Sequence, residues 1–400
     1  MSTATTNQSV IDRAKKVLLG NYKQQPVAID RGQGVYVWDV EGRRYLDMIC
    51  GVATNALGHC HPELVAVAKA QLDKCWHTAN GVYNEPQVAL AEKLLSLSGL
   101  DRAFFCNSGG EANEALIKLA RRYQKERGEP ERVEFVCFEN SFHGRTLATL
   151  TATGQPKYQK GFDPLPAGFR HVPYGDVGAV KQAVGRRTAA ILVEPVQGEG
   201  GVHPAPEGFL RELRRICDDE GALLLIDEIQ TGMGRTGKFF GFQWEDIRPD
   251  AISMAKALGN GIPVGAMLCR EEVGKVMGPG SHGSTFGGNL VACAVATRVV
   301  EILSTPSMLE TVRENGAYLL AQAQKMKARL GDKVVSVRGK GLLFGCELAQ
   351  EAGPVLNRCR ELGLIVNLAG ERTLRMAPAF IATRDQLDEA LSIMEQAIRG

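Results

Sequence analysis

Two stretches, Ala222–Gly237 (ALLLIDEIQTGMGRTG) and Ala251–Gly261 (AISMAKALGNG), limit what this chain can fold into. The first opens on a continuous apolar run, Ala222–Ile226, of strand length and far too short for a membrane span. It stops on Asp227 and Glu228, which places acids at the carboxyl end of a buried strand. The second repeats the pattern: Ala251–Met254 is apolar, and Lys256 and a glycine-rich turn follow at once. In an open parallel sheet the strand carboxyl ends form the rim where ligands bind. An aspartate and a lysine are therefore predicted to converge on one crevice.

A lysine withdrawn from water loses basicity and becomes a Schiff-base nucleophile. Pyridoxal 5'-phosphate (PLP) needs such a lysine and an acid that keeps its ring nitrogen protonated. A buried Lys–Asp ion pair would leave the same two residues, so the rest of the chain has to decide.

The remaining strand ends supply more of a site. Ala103–Cys106 reads as a strand running into Asn107-Ser108-Gly109-Gly110-Glu111, where Ser108 and Glu111 have capping-box spacing and a helix begins. Gly109 and Gly110 in its first turn would leave bare amides at the positive helix end, a seat for phosphate. A tight turn that merely needs glycine is the alternative. Val133–Phe138 is a strand followed by Phe142 and Arg145, and Ala189–Val193 is a strand followed by Glu199. Val264–Cys269 closes the series. Strand and helix signals alternate, which predicts a doubly wound, mostly parallel sheet flanked by helices. An ion pair alone would not explain so many site-like residues on one rim.

Around this core, Gly34–Met48 reads as a β-hairpin turning at Glu41-Gly42, and helices are predicted near Pro62–Trp76, Pro86–Leu97 and Leu290–Leu303. The remainder reads as a smaller α/β domain, with helices near Ser307–Leu330, Gly353–Leu362 and from Arg384, and strands near Val334–Val337, Leu342–Leu348, Ile365 and Leu374–Met376. The expected division is 1–57 as an N-terminal segment of the small domain, 58–290 as the large cofactor-binding domain, and 291–400 as the C-terminal small domain.

Four hundred residues suffice for a large core and two domains. A net charge of +2 gives no reason to expect nucleic acid or an anionic membrane as partner. The start, MSTATTNQSVIDRAKK, lacks the apolar stretch of a secretory signal and reads as a frayed polar tail, with a short helix expected within residues 10–57 before the hairpin. Ten cysteines lie scattered with no C-x-x-C pair, which points to reduced thiols in the cytoplasm. Gly58-His59-Cys60-His61-Pro62 could suggest a metal site, but without a second ligand cluster a turn before a helix is the better reading, and no metal is expected.

Seven motifs together resemble the class III (ornithine-type) aminotransferases, PLP enzymes of fold type I. They are NSGGEANEALIKLAR, SFHGRT, VEPVQGEGG, LLLIDEIQTGMGRTG, AKALGNGIPVGA, HGSTFGGN and LRMAPAF. The resemblance runs from about residue 20 to the C-terminus and is strongest to the acetylornithine and succinylornithine branch. It implies that Lys256 carries the Schiff base and then serves as general acid and base. It implies that Asp227 pairs with the pyridinium nitrogen, Gln230 bonds the ring's phenolic oxygen, and Ile229 and Phe142 cover the two ring faces. Gly109 and Gly110 would hold the phosphate. Gly110 stands where the family usually has alanine, threonine or valine, which a backbone donor tolerates. Thr285, with Ser284 beside it, would reach the other subunit's site in a homodimer.

The resemblance also implies the substrate contacts. Arg145 would grip the carboxylate far from the reacting amine, and Arg375 the one beside it in glutamate, since a guanidinium binds carboxylate bidentately. Glu199 would pair with Arg375 while the first donor is bound. Val52 stands where ornithine aminotransferases carry a tyrosine that reads a free α-amino group, so it favours an acylated nitrogen. The implied reaction is transamination between N2-acetylornithine and 2-oxoglutarate in arginine biosynthesis. Succinylornithine or 4-aminobutyrate as donor, and the aminomutase branch, are the alternatives, with N-succinyl-diaminopimelate transamination as a second activity. A nucleotide-binding α/β module would need a Gly-Lys-Ser/Thr loop or G-x-G-x-x-G after the first strand, and neither is present.

Overall fold

A computed structural model describes residues 5–400 of the chain. Its centre is a seven-stranded sheet: β1 (Arg102–Cys106), β2 (Glu134–Phe138), β3 (Phe169–Val172), β4 (Thr188–Val193), β5 (Leu223–Asp227), β6 (Ala251–Met254) and β7 (Gly265–Cys269). The strand order is β1-β7-β6-β5-β4-β2-β3. β5 lies between β4 and β6 and runs parallel to both. β7 runs antiparallel to β6 and β1, so the sheet is mostly parallel with one reversed strand. The link Ala255–Val264 is shorter than the dozen or so residues a parallel crossover needs, which forces the reversal.

The apolar runs follow from burial on both faces. Leu223 and Leu225 of β5 join Ala190, Leu192 and Phe135 in the core on one face; Leu224 and Ile226 join Ile191, Val193 and Val136 on the other. The helix α1 (Gly109–Glu126) lays Ala112, Ala115, Leu116, Leu119 and Ala120 on the first face. The helices Phe209–Glu220, Glu85–Ser98 and Leu290–Leu303 bury apolar side chains on the second. Truncating Leu225 or Ile226 to alanine would cost about 2–5 kcal/mol. β3 carries no strong run in sequence and was not expected; it is the edge of the sheet, paired only with β2.

After Leu303 the chain forms a four-stranded antiparallel sheet in the order Val334–Lys340, Leu343–Leu348, Thr373–Met376, Asn367–Ala369. The helices Pro306–Leu330, Gly353–Glu361 and Arg384–Arg399 accompany it. The N-terminal hairpin is present as Tyr36–Asp39 with Arg44–Asp47. It is joined by Ile29–Gln33 on one side and, in parallel, by Leu364–Ile365 from the C-terminal part on the other.

Two expectations need correction. The polar N-terminal stretch is not a frayed tail where it is described: Asn7–Val17 is a helix, closed at its start by a Thr6–Ser9 capping box. Residues 1–4 of that stretch lie outside the described residues. The Ser108–Glu111 capping box is half right. Ser108 Oγ accepts from the Glu111 amide at 3.2 Å, but the Glu111 carboxylate reaches past Ser108 to the amide of Asn107 at 2.6 Å. Among the described residues no single helix is long and apolar enough to cross a membrane.

Candidate active site

The carboxyl ends of β1, β2, β5 and β6 open into one cavity of about 610 Å³. At its base Asp227 ends β5, buried to 3% exposure. Its Oδ2 accepts from Asn113 Nδ2 at 2.7 Å and lies 2.8 Å from His143 Nδ1; its Oδ1 accepts from the Ile229 amide at 3.0 Å. No lysine or arginine lies within ion-pair distance of Asp227 among the described residues. A buried carboxylate ordered by three donors but lacking a full cationic partner is prepared to meet a positive charge from a ligand.

Lys256 follows β6 with φ 45°, a left-handed conformation that costs a non-glycine residue about 1–3 kcal/mol. Its side chain lines the same cavity. Burial pushes its amine below the usual lysine range, against the opposing pull of Glu199. Gly109 and Gly110 also line the cavity, at the start of α1, where first-turn amides lack intrahelical acceptors. A Cβ on Gly109 would come within 2.8 Å of Ile229 Cδ1, whereas one on Gly110 would meet nothing nearer than 3.9 Å. A side chain at 109 would thus have to push the end of the Ile229 side chain aside, whereas 110 has room for one. Phe142, Ile229 and Gln230 also line the cavity.

Arg145 stands at the mouth, exposed, its guanidinium 3.9 Å above the Tyr158 ring and 5.4 Å from that of Phe142. Arg375 is 1% exposed. Its Nη1 donates to Glu199 Oε1 at 2.5 Å and to Gln230 Oε1 at 3.1 Å, and its Nε to Asn367 Oδ1 at 3.1 Å, while Nη2 has no partner. Burial alone would raise the Glu199 carboxyl, but Arg375 and then Lys256 hold it below the usual range. A Cβ on Gly198 would overlap the Gln230 side-chain amide and displace it from Arg375. Glu199 and Arg375 sit behind Gln230 rather than in the cavity wall.

Val52, Ser284 and Thr285 are not in that wall either. Ser284 Oγ accepts from Asn107 Nδ2 at 3.0 Å, and Thr285 is exposed. Val52 is 37% exposed and belongs to a left-handed helical turn. Cys50, Gly51, Val52 and Ala53 all have φ between 48° and 66°, and Thr54 and Asn55 donate their amides to the Cys50 carbonyl. Each non-glycine residue there costs about 1–2 kcal/mol. Thr54, at its end, lines the cavity.

Residues 19–398 match the family described as aminotransferase class-III. The acetylornithine aminotransferase of Myxococcus xanthus is 61% identical over 388 residues, covering 97% of each chain. The chain belongs to the class-III aminotransferases. The enzyme of the same name from Methanocaldococcus jannaschii is 42% identical over 98% of each chain. Among solved structures, the N-acetylornithine aminotransferase of Stenotrophomonas maltophilia K279a superposes with a TM-score of 0.84 at 36% identity, covering 97% of this chain and 98% of that one. The ornithine aminotransferase of Toxoplasma gondii ME49 reaches 0.95 at 30% identity, covering 99% and 95%. The backbone is thus shared across substrate types, and the donor has to be read from the site.

Class-III aminotransferases are PLP-dependent, and the cavity fits the group. It offers helix-start amides for a phosphate, a lysine of lowered basicity, and a buried carboxylate without a lysine or arginine partner. Among the described residues no group of three or more His, Cys, Asp or Glu is arranged to hold a metal. His59 instead bonds Asp47 and Asn55 in the turn before the helix Pro62–Leu72.

Sequence reasoning missed several residues that organise this aminotransferase site. Asn113 and His143 are fully or nearly fully buried and orient Asp227. Asn113 carried a signal: a polar residue on the apolar stripe of α1, between Ala112 and Leu116. Glu194 lines the cavity and accepts the Phe142 amide at 3.1 Å. Burial and then the charge of Asp227 push its carboxyl well above the usual range. Tyr158 and Thr54 gave no signal.

Proposed function

We propose that this enzyme transfers the δ-amino group of N2-acetyl-L-ornithine to 2-oxoglutarate, giving N-acetyl-L-glutamate 5-semialdehyde and L-glutamate in arginine biosynthesis. The observation that carries the choice of donor is the 61% identity over 97% of the chain to an acetylornithine aminotransferase; the alternation between such a donor and glutamate is supported by Arg375, buried and already neutralised by Glu199. A donor without a carboxylate beside its reacting amine leaves that pair closed. Glutamate, with carboxylates at both ends, competes with Glu199 for the guanidinium, and the unpartnered Nη2 is free to receive it. Arg145 would take the distant carboxylate of both substrates.

Bound in the cavity, PLP supplies an electron sink for the carbon that bears the amine. Lys256 would hold the group through Nζ and, once released, move the proton between carbons; a lowered basicity suits that task near neutral pH. Asp227, fixed by Asn113 and His143, would keep the ring nitrogen protonated. The amides of Gly109 and Gly110 would seat the phosphate, Ile229 and Phe142 would enclose the ring, and Gln230 would bond its phenolic oxygen.

A homodimer is part of this reading, with Ser284 and Thr285 of one subunit serving the other's site. Its support is that Thr285 is exposed and lies outside its own chain's cavity. The ten unpaired cysteines support a reducing, cytoplasmic compartment. The division into 1–57, 58–290 and 291–400 is proposed likewise, supported by the pairing of Leu46 with Leu364 and Asp47 with Ile365. The helix Leu290–Leu303 would join the units, since it packs on Pro62–Leu72 and Glu85–Ser98.

The test is kcat/KM for acetylornithine, succinylornithine, ornithine and 4-aminobutyrate, measured side by side with 2-oxoglutarate. Acetylornithine is expected to lead. A higher value for ornithine or 4-aminobutyrate would overturn the assignment, and one for succinylornithine would move it to arginine breakdown.

A further inference from the structure

A second cavity, of about 280 Å³, lies between the loop after β5, the helix Pro306–Leu330 and the turn joining the strands Val334–Lys340 and Leu343–Leu348. It shares no lining residue with the cavity at Lys256. Its walls meet backbone to backbone: a Cβ on Gly341 would overlap the Arg235 carbonyl, and one on Gly316 would overlap the Gly341 carbonyl. Arg235, fully buried, ties the same turn down by donating Nη1 to the Leu342 carbonyl at 3.0 Å. The indole of Trp244 is fixed by its Nε1, which donates to Thr236 Oγ1 at 3.1 Å. The cavity is therefore preformed, as small-molecule sites are.

The lining combines the apolar side chains of Trp244, Leu320, Leu343 and Phe344 with two cations, Arg313 and Lys340. Lys340 is half-buried, and its Nζ lies 4.7 Å from the centre of the Trp244 ring. The Lys238 ammonium lies 5.2 Å from the same centre and donates to the Gln243 carbonyl at 2.7 Å. Among the described residues neither lysine has a carboxylate within ion-pair distance, and Lys340 Nζ has no hydrogen-bond acceptor. The neighbouring acids are spent elsewhere. Glu245 pairs with Arg211 at 3.1 Å and accepts the Gly208 amide; Glu310 pairs with Arg313, whose Nη1 also donates to the Gly237 carbonyl at 2.6 Å. Burial pushes the Lys340 amine below the usual lysine range; Glu245 and Glu207 oppose this from a distance, and Lys238 adds to it. Two ammoniums thus share one ring, and a half-buried charge costs free energy unless it is paired. We propose that this cavity is a second ligand site, for a small monocarboxylic acid whose carboxylate sits between Lys238 and Lys340 and whose apolar body packs on Trp244, Leu343 and Phe344. Its volume lies just below that of drug-sized sites, about 300 Å³ and upward, which suits a molecule of amino-acid size. A dicarboxylate such as 2-oxoglutarate would bury its second charge against apolar walls and is disfavoured. The inference does not depend on which amino donor the enzyme uses.

Isothermal titration calorimetry on the holoenzyme tests it, with hexanoate as the probe, hexan-1-ol as its uncharged counterpart, and 2-oxoglutarate present to fill the catalytic cavity. Hexanoate should bind once per chain with a Kd of about 1 mM or below, and hexan-1-ol about tenfold more weakly. Lys340→Met keeps the aliphatic stem without the charge and should weaken hexanoate about tenfold, whereas Lys340→Arg should bind it within about threefold. Ala317 lines the cavity and is exposed, so Ala317→Trp should fill the space and abolish binding without disturbing the core. Melting temperatures establish that each variant is folded. No saturable binding to the wild type, hexan-1-ol binding as tightly as hexanoate, or unchanged hexanoate binding in folded Lys340→Met or Ala317→Trp would each overturn the proposal. Displacement of hexanoate by rising 2-oxoglutarate would also overturn it, since the probe would then occupy the catalytic cavity.

Discussion

Replacing Arg375 with alanine should split the two half-reactions of the enzyme. The guanidinium is buried and spends Nη1 on Glu199 and Gln230 and Nε on Asn367, while Nη2 is unused. Glutamate would exchange the Glu199 contact for its own α-carboxylate and gain the idle nitrogen. Losing that charge-assisted pair costs about 2–4 kcal/mol, a fall of roughly 30- to 1000-fold in the glutamate half-reaction. Acetylornithine has no carboxylate at that end, so its half-reaction should change less than about threefold. The variant also removes what opposes burial at Glu199, whose carboxyl should then rise from its lowered position. The assay is single turnover, following the cofactor's absorbance with each donor in turn, with melting temperatures as a control on folding. Equal losses for both donors would show that Arg375 is structural and would refute the assignment of the two carboxylate sites.

Lys256→Ala should abolish the yellow Schiff-base absorbance and lower turnover by several orders of magnitude; near-normal activity with retained absorbance would sink the role of Lys256. In the apoprotein the same site makes stability pH-dependent. The folded state holds the Lys256 proton less tightly than the unfolded chain, so stability rises as pH climbs from the lowered folded value towards the ordinary 10.5. Lys256→Met should remove that rise, which denaturation at a series of pH values would show. Asp227→Asn should bind PLP yet slow proton abstraction more than tenfold, about 1.4 kcal/mol; a smaller effect means Asp227 is not the ring-nitrogen partner. Gly109→Ala should weaken PLP affinity measurably because its Cβ crowds Ile229, whereas Gly110→Ala should leave it within about twofold. Equal effects in a PLP titration would contradict the steric argument.

Much of this molecule is local in origin. The apolar runs of β4, β5 and β6 are legible because both faces of a central strand are buried, and Asp227 and Lys256 stand out because they end such runs. The start of α1 is marked by Ser108 and its glycines, since helix caps and close backbone approach depend on a few adjacent residues. The reversal of β7 was implicit in a link too short for a crossover, though its run of apolar residues looks the same in either direction. Other features have no local cause. Arg375 and Glu199 lie 176 residues apart, and only the docking of the C-terminal sheet on the central one makes the first a closed ion pair rather than a surface arginine. Asn113 reaches Asp227 from the helix α1 and His143 from the loop after β2. The left-handed turn at Cys50–Ala53 contains one glycine and no sign of its conformation; its strain is offset by Asp47, His59 and Asn260, the last more than two hundred residues away. Local propensity selects the elements, but a disfavoured backbone or a buried charge is tolerable only once tertiary contacts supply its partners.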